Sequence, residues 1–531
     1  MKIESVRRAL ALTGCLCIFS LSSLSACNLN WQNEYPILET QSAPSNDGGN
    51  EPQNTTEAGI SGEDVTLSLA VPFGQDAAEA LRLLFLARQS GLLTQESGQY
   101  IGQQLQIDDL QQFDGPLHFQ LEAVSADTGA SADQVSVWRA AGTLPDLIYT
   151  ENAAASIGLD RLLDLNDLLY DQSLLSATHI YPAALDCVRR GQILYGVPYL
   201  ASVPLVYYNE ALLTQYQIPT PGINWTWPEW LSTIQAMQQA VSKASRGATP
   251  ADLAAVIDQP DIQAALLQQA IFMMESPVDF LPFLPASLSA NAGWSMWNGY
   301  DFSLADPAFH TAIDWLRQQA AAGYSWLHLS AEQQQTALSN MNARLQNRIV
   351  FWVGDSTDLA YWHQQTGLSV SESLIPAGPL QVSAEQQPSA GTESILNKRT
   401  PIQVRSLVVS KTTRYPRLAA RLAAFFALDV DALLLQSRFQ LYEGLFPLVQ
   451  EPAAWTAMVE RQPYGHVLAA VQANLPYAYC SGQQVVSVWQ SVMQSAIVKQ
   501  GEIYMTTADE QALPQILQNI LSEAQAIMQE D

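Results

Sequence analysis

The sequence predicts an α/β fold, and three observations carry that prediction. From Val65 onward, short β-branched runs alternate with stretches of helical apolar spacing. The chain is 531 residues long, 48% hydrophobic and only 14% charged, too apolar for a mainly disordered polymer. At about 100–200 residues per domain, that length accommodates two or three compact units.

The elements follow in order. Residues 65–71 alternate and end at Pro72, so they read as a strand. Apolar spacing predicts a helix over 77–89, a strand over 117–124, a helix over 135–141 and a strand over 145–149. Helices and strands in this order imply a mainly parallel sheet flanked by helices, with ligands beyond the carboxyl ends of the strands. The loops 72–76 and 150–153 lie at such ends. The middle of the chain is rich in Ala, Leu and Gln, predicting helices over 230–244, 250–274, 307–322 and 331–344. A buried strand follows over 349–353, then a polar loop over 381–400, a strand over 404–410 and helices over 416–427, 485–498 and 511–528.

The N-terminus reads as an export signal. Lys2, Arg7 and Arg8 precede an apolar run over 9–19, too short to span a bilayer comfortably, and Leu24-Ser25-Ala26-Cys27 follows. Those four residues resemble the lipobox of bacterial lipoproteins, in which the cysteine is acylated and becomes the mature N-terminus; Cys27 is the expected lipidation site. The competing reading is an ordinary cleaved signal with an incidental cysteine. Two acyl chains suffice for stable anchoring. Residues 27–62 contain no Lys or Arg and are rich in Ser, Asn, Gly and Pro, which predicts a flexible tether.

The full chain carries 24 bases against 51 acids. Without residues 1–26 the balance is 21 against 50, a net charge of −29. Such a chain repels nucleic-acid backbones and anionic headgroups, so no nucleic-acid partner is expected. Beyond Cys27 only Cys187 and Cys480 remain, either as a pair or as two separate buried small hydrophobes. Two thiols and six scattered histidines offer no metal site. The chain has no Gly-x-Ser-x-Gly elbow, His-Glu-x-x-His, Walker A or Gly-x-Gly-x-x-Gly motif. No catalytic residue, cofactor or metal is therefore expected, and the chain is read as a binding protein rather than an enzyme.

Aromatic surface is abundant, with 13 Trp and 19 Tyr. Such rings stack on the apolar faces of sugars while neighbouring polar groups satisfy hydroxyls; core packing is the competing use of any single one. Trp294, Trp297, Asn298 and Tyr300 stand among Asn291, Gly293, Gly299 and Asp301, a loop composition that favours recognition.

Several motifs in sequence order resemble bacterial extracellular solute-binding proteins of family 1, the maltose-binding-protein-like receptors of ABC sugar importers. Ala141-Gly142-Thr143-Leu144-Pro145-Asp146-Leu147-Ile148-Tyr149 looks like the family's helix-to-strand segment. Gly191-Gln192-Ile193-Leu194-Tyr195-Gly196-Val197-Pro198-Tyr199, with Leu205-Val206-Tyr207-Tyr208-Asn209, looks like its first crossing between lobes. Thr226-Trp227-Pro228-Glu229-Trp230 resembles the helix start that follows. Phe351-Trp352-Val353-Gly354-Asp355 resembles a later strand end, and Gly444-Leu445-Phe446-Pro447 a turn. The resemblance spans about 65–528.

It implies a two-lobed periplasmic-binding-protein-like fold of type II. The first lobe would comprise 63–198 and about 401–435, the second about 205–373 and 470–531. Hinges would lie near 199–204, 374–380 and 436–447. It nominates as ligand-binding residues Phe73 and Gln75, which flank Gly74 after the first strand. Tyr149, Glu151 and Asn152 follow after the Pro-Asp strand, and Tyr199 and Ser202 stand in the first crossing. The second lobe would contribute Trp294, Trp297, Asp355, Ser356 and the stacking aromatic Trp489. The implied function is a lipid-anchored extracytoplasmic receptor that passes a sugar or oligosaccharide to ABC permease subunits. It would be a monomer, touching the membrane through its lipid alone. A cationic or other small solute, an exported glycan hydrolase using Glu151 and Asp355, and a sensor subunit are the alternatives.

Overall fold

Strand β1 (Val65–Val71) turns Leu67, Leu69, Ala70 and Val71 inward, and helix α1 (Gln75–Gln89) follows directly. The computed structural model describes residues 64–91, 93, 102, 104–170, 180–244, 266, 270–289, 292–325, 343–378, 400–439, 442–459 and 462–529. The signal segment, Cys27, the tether, the expected helical residues 250–265, 267–269 and 331–342, and the stretch 381–399 lie outside those residues.

Strand β2 (Leu117–Ala123) precedes helix α2 (Ala132–Ala141), which opens with a reciprocal capping box between Ser131 and Gln134 and ends at Gly142 in the left-handed conformation. Strand β3 (Leu147–Thr150) is then locked to β1, because Asp146 Oδ2 accepts from both Ser68 N–H and Ser68 Oγ–H at 2.8 Å. Helix α3 (Pro182–Cys187) and a short ribbon over 189–194 lead to strands β4 (Val197–Ser202) and β5 (Pro204–Asn209), which are buried along their whole length. Helix α4 (Trp227–Lys243) starts at a Thr226–Glu229 capping box with Pro228 in its first turn. Its buried residues Trp227, Trp230, Ile234, Met237 and Val241 repeat every three or four positions. At about 1.5–3 kcal/mol per buried side chain, that face contributes roughly 10 kcal/mol of gross burial.

The remaining elements are strand β6 (Phe272–Met274), helix α5 (Pro307–Gln319), strands β7 (Ile349–Asp355), β8 (Val370–Leu374) and β9 (Thr400–Val409), helices α6 (Pro416–Leu428) and α7 (Val430–Phe439), strands β10 (Phe446–Pro447) and β11 (Ala478–Cys480), a helical run over 489–506, and helix α8 (Leu513–Met528). Two expectations are corrected here. The helix expected to reach residue 274 gives way to β6, because Phe272-Met273-Met274 pairs in parallel with β7 and is buried on both faces. The helix expected from 485 begins only at Trp489, because Gln484 is docked on the first lobe.

The strands form two sheets. The first is seven-stranded, in the order β10-β4-β9-β3-β1-β2, with β11 also paired to β9. Its parallel centre, β2-β1-β3, is the part the strand–helix alternation predicts. β9 runs antiparallel to β3 and β4, because these strands lead into and out of the junction without a crossover helix. The second sheet is four-stranded, in the order β8-β5-β7-β6. Two lobes result. The core of the first includes Leu81, Leu84, Phe85 and Phe426; that of the second includes Trp227, Trp230, Phe280 and Phe309.

Val203 alone separates β4 of the first sheet from β5 of the second, so the chain passes between the sheets there. A second passage joins β8 to β9. Within the segment expected as the third hinge, 436–447, Phe446 and Pro447 form edge strand β10 of the first sheet. The chain passes to the second lobe only after β11, over 481–488, because β11 is still paired with β9.

Candidate functional site

Where β3, β4, β7 and β9 end at the junction of the lobes, they deliver a cluster of polar side chains. β9 is the unusual contributor: Arg405 is the one charged residue of the strand and is almost fully buried. A bulge against β4 falls between Arg405 and Ser406, the device by which strands re-aim a side chain beside a site. The guanidinium Nη1 donates to Ser202 Oγ at 2.6 Å and to Gln403 O at 3.1 Å, and Nε donates to Asp127 O at 2.7 Å. Nη2 stands 3.6 Å from Glu151 Oε2.

Two carboxylates face this cation from opposite lobes. Asp355, at the end of β7, accepts from Ser202 Oγ at 2.9 Å, and its other oxygen accepts from Thr357 N and Oγ1 at 3.0 and 2.9 Å. Glu151, just past β3, accepts from Gln403 Nε2 at 3.3 Å; the same amide donates to Gln483 Oε1 at 2.9 Å. Burial pushes both carboxyls above their ordinary pKa values, and the Arg405 charge opposes the shift in each. Asp127 and Asp355 add to the rise at Glu151 by like-charge repulsion. The junction therefore holds more carboxylate than cation. It presents acceptors and amides suited to hydroxyl groups, or a field suited to a positive guest.

Aromatic side chains border this cluster through one segment of chain. Trp297 and Trp489 meet edge to face at 6.1 Å, and Phe302 stacks on Trp489 at 5.0 Å. Gly482 lies directly against both indoles; a Cβ there would stand 2.8 Å from the Trp489 ring and 3.0 Å from that of Trp297. The next residue, Gln483, reaches Gln403, and the one after that, Gln484, donates to Thr150 O and Val404 O at 2.9 and 2.7 Å. Trp297 also lines a cavity of about 770 Å³, together with Asp186, Arg189, Tyr300, Tyr477 and Cys480.

The nominated residues separate accordingly. Glu151, Ser202 and Asp355 come together. Asn152 adjoins them but uses Oδ1 to cap the short helical turn Ala153–Ser156. Ser356 lies beneath them, fully buried, its hydroxyl donating to Gly444 O at 2.6 Å and accepting from Val203 N–H at 3.1 Å. Trp297 and Trp489 form the bordering aromatic cluster, and Trp294 packs on Phe283 at 5.1 Å. Four nominations lie elsewhere. Tyr149 and Tyr199 are fully buried in the first lobe, edge to face at 5.6 Å. Their hydroxyls are engaged by Ala126 O and by Gln436, so neither offers a polar atom to the junction, although Tyr149 lies near Arg405 and Glu151. Phe73 packs edge to face on Phe426 at 5.2 Å, in the core rather than the junction. Gln75 lines a separate cavity of about 440 Å³ with Asp76, Glu79 and Phe119. Arg405, Gln403, Asp127 and Gln483 escaped the sequence reading, although a lone arginine in Val404-Arg405-Ser406-Leu407 was a usable signal.

Residues 110–463, two thirds of the chain, match the family of bacterial extracellular solute-binding proteins. This chain belongs to that family. No curated protein matches it in sequence. Among solved structures, this solute-binding protein is similar to the cyclic α-maltosyl-1,6-maltose binding protein of Arthrobacter globiformis, with TM-score 0.57 and 12% identity over 88% of this chain and 100% of that one. It is likewise similar to the sugar-binding protein MalE of Xanthomonas citri, with TM-score 0.56 and 14% identity over 88% and 98% of the two chains. An ABC substrate-binding protein of Listeria monocytogenes in complex with cycloalternan gives TM-score 0.52 and 13% identity over 87% and 99%. These likenesses establish the two-lobed fold. Family membership places the solute-binding protein outside the cytoplasm. Among the described residues no helix is long and apolar enough to cross a membrane.

Proposed function

We propose that this solute-binding protein captures a neutral sugar or oligosaccharide where its lobes meet and hands it to an ABC importer. The observation that carries the reading is the segment 482–484. Gly482 lies on the buried indoles of Trp297 and Trp489 while Gln483 joins the carboxylate–amide cluster, so an aromatic cluster adjoins the hydroxyl partners along one segment of chain. A sugar demands that combination: ring faces against its C–H surface, fixed acceptors and amides for its hydroxyls. The neighbours from Arthrobacter and Listeria, which bind cyclic α-maltosyl-1,6-maltose and hold cycloalternan, support it. Glu151, Asn152, Ser202, Asp355, Gln403 and Gln483 are the proposed hydroxyl contacts, and Trp297 and Trp489 the proposed ring contacts. Tyr149 and Tyr199 support the sheet beneath. Closure about the passages at 203 and 481–488 lets both lobes engage the guest, and the importer reads the closed form.

The proposed role is capture without bond cleavage. Glu151 and Asp355 share one guanidinium through Arg405 and Ser202, an arrangement that holds carboxylates as acceptors. Acylation of Cys27 would anchor the chain, and the 27–62 tether would let the lobes reach permease subunits. One observation favours a second reading: the carboxylate excess at the junction also suits a small polyamine. Calorimetric titration with malto-oligosaccharides, cyclic glucans and polyamines separates the two. A saccharide isotherm that weakens at least tenfold in Asp355→Asn supports the first reading, and a response to polyamines alone would replace it with the second.

A further inference from the structure

Beyond Cys27 the chain has two cysteines, nearly three hundred residues apart in sequence, and the fold brings them together. Cys187 closes α3 and is buried in the first lobe's core; Cys480 ends β11 and packs against the same core. The Cys187 thiol has the Cys480 thiol and the Ser481 N–H as hydrogen-bonding neighbours. We propose that Cys187 and Cys480 are joined by a disulfide in the exported protein.

The chemical argument has two parts. The family places the chain outside the cytoplasm, where disulfides form and persist. Burial also pushes the Cys187 thiol well up from its ordinary pKa, which is the environment of a structural sulfur rather than a reactive thiolate. The bond forms by exchange with the disulfide of an extracytoplasmic thiol oxidant, before folding closes over α3. One cysteine thiolate attacks the oxidant's S–S bond to give a mixed disulfide, and the second displaces the oxidant's remaining sulfur. Two protons leave the chain, and two electrons pass to the oxidant, which departs as a dithiol.

The position of the bond gives it a mechanical role. β11 pairs with the first residues of β9, and the third passage to the second lobe begins immediately after Cys480. A link to α3 pins the first-lobe end of that passage, so interlobe rotation falls on 481–488. Cys480 also lines the 770 Å³ cavity, together with Tyr479 and Trp297, so the same bond holds one wall of that cavity in place.

Peptide mapping of the full protein, exported from the cytoplasm of its expression host, tests this. Denatured without reductant and treated with iodoacetamide, it should yield a linked Cys187–Cys480 peptide with neither sulfur alkylated. After reduction, both should carry the label. In Cys480→Ala, Cys187 should become alkylatable without reductant. Reductant should lower the wild-type melting temperature by roughly 5 °C and leave a Cys187→Ala/Cys480→Ala double variant unmoved. Two alkylated thiols in the unreduced wild type would overturn the proposal, and that readout depends on no variant folding.

Discussion

Replacing Arg405 by methionine tests whether the junction is held by a compensated buried charge. The guanidinium stands 3.6 Å from Glu151 and shares Ser202 with Asp355. At that separation and an effective dielectric of about 20, the attraction to Glu151 alone is worth about 5 kcal/mol before desolvation is counted. Arg405→Met keeps the volume of the stem but leaves two buried carboxylates facing each other. Removing one partner of a buried pair costs about 3–5 kcal/mol, and that is the expected loss at pH 8. The sign of its pH dependence follows from the raised carboxyl groups. Burial already holds the folded-state pKa values of Glu151 and Asp355 above their ordinary values, and loss of Arg405 raises them further. The folded variant therefore binds protons that the unfolded chain has released, so its deficit grows as pH rises through that window and shrinks on acidification. Urea denaturation at pH 8 and pH 5 measures both quantities, and a Glu151→Gln/Arg405→Met double variant should recover part of the loss. A deficit below about 1 kcal/mol, or one equal at the two pH values, would refute the reasoning.

Other tests reach different parts of the fold. Burial and the Glu275 charge push Asp279 from its ordinary 3.8 to about 7, against the pull of Arg344. The native chain should therefore lose about 2–4 kcal/mol between pH 4 and pH 7 at this one group, and Asp279→Asn should flatten that slope in pH-dependent melting curves. Gly444 has φ +73°, and a Cβ there would lie 2.1 Å from Ser356 O. Gly444→Ala should cost more than about 3 kcal/mol in chemical denaturation, because strain and a backbone clash add. Gly482→Ala must displace the Trp489 ring and should shift the tryptophan emission maximum and weaken ligand binding about tenfold, while melting moves by only a few degrees.

The sequence was most legible where local chemistry decides the structure. The α2–β3 motif has its helix stop at Gly142 and its lock at Asp146; the Thr226–Glu229 box starts α4 within three residues of the expected helix. Legibility failed where distant segments decide. Phe272-Met273-Met274 looks helical by composition, but pairing with β7 makes it a strand. Residues 485–488 have helical spacing, but side-chain hydrogen bonds from Gln484 to the first lobe delay the helix. The site divided along the same line. Glu151, Ser202 and Asp355 stand at strand ends that a motif marks, and they meet through Arg405. Tyr149 and Tyr199 neighbour those ends, yet both rings are fully buried and their hydroxyls are taken by Ala126 O and Gln436. Arg405 and Gln403 were missed because nothing local shows that β9 lies between β3 and β4.

The most direct test of the account is calorimetric titration of a Glu151→Gln/Asp355→Asn double variant with whichever saccharide binds the wild-type chain. Both changes preserve shape while removing the carboxylate acceptors that the two lobes aim at the junction. The account predicts at least a hundredfold weaker binding with the melting temperature of the unliganded protein maintained. Unchanged affinity would place the guest somewhere other than the junction and contradict the account.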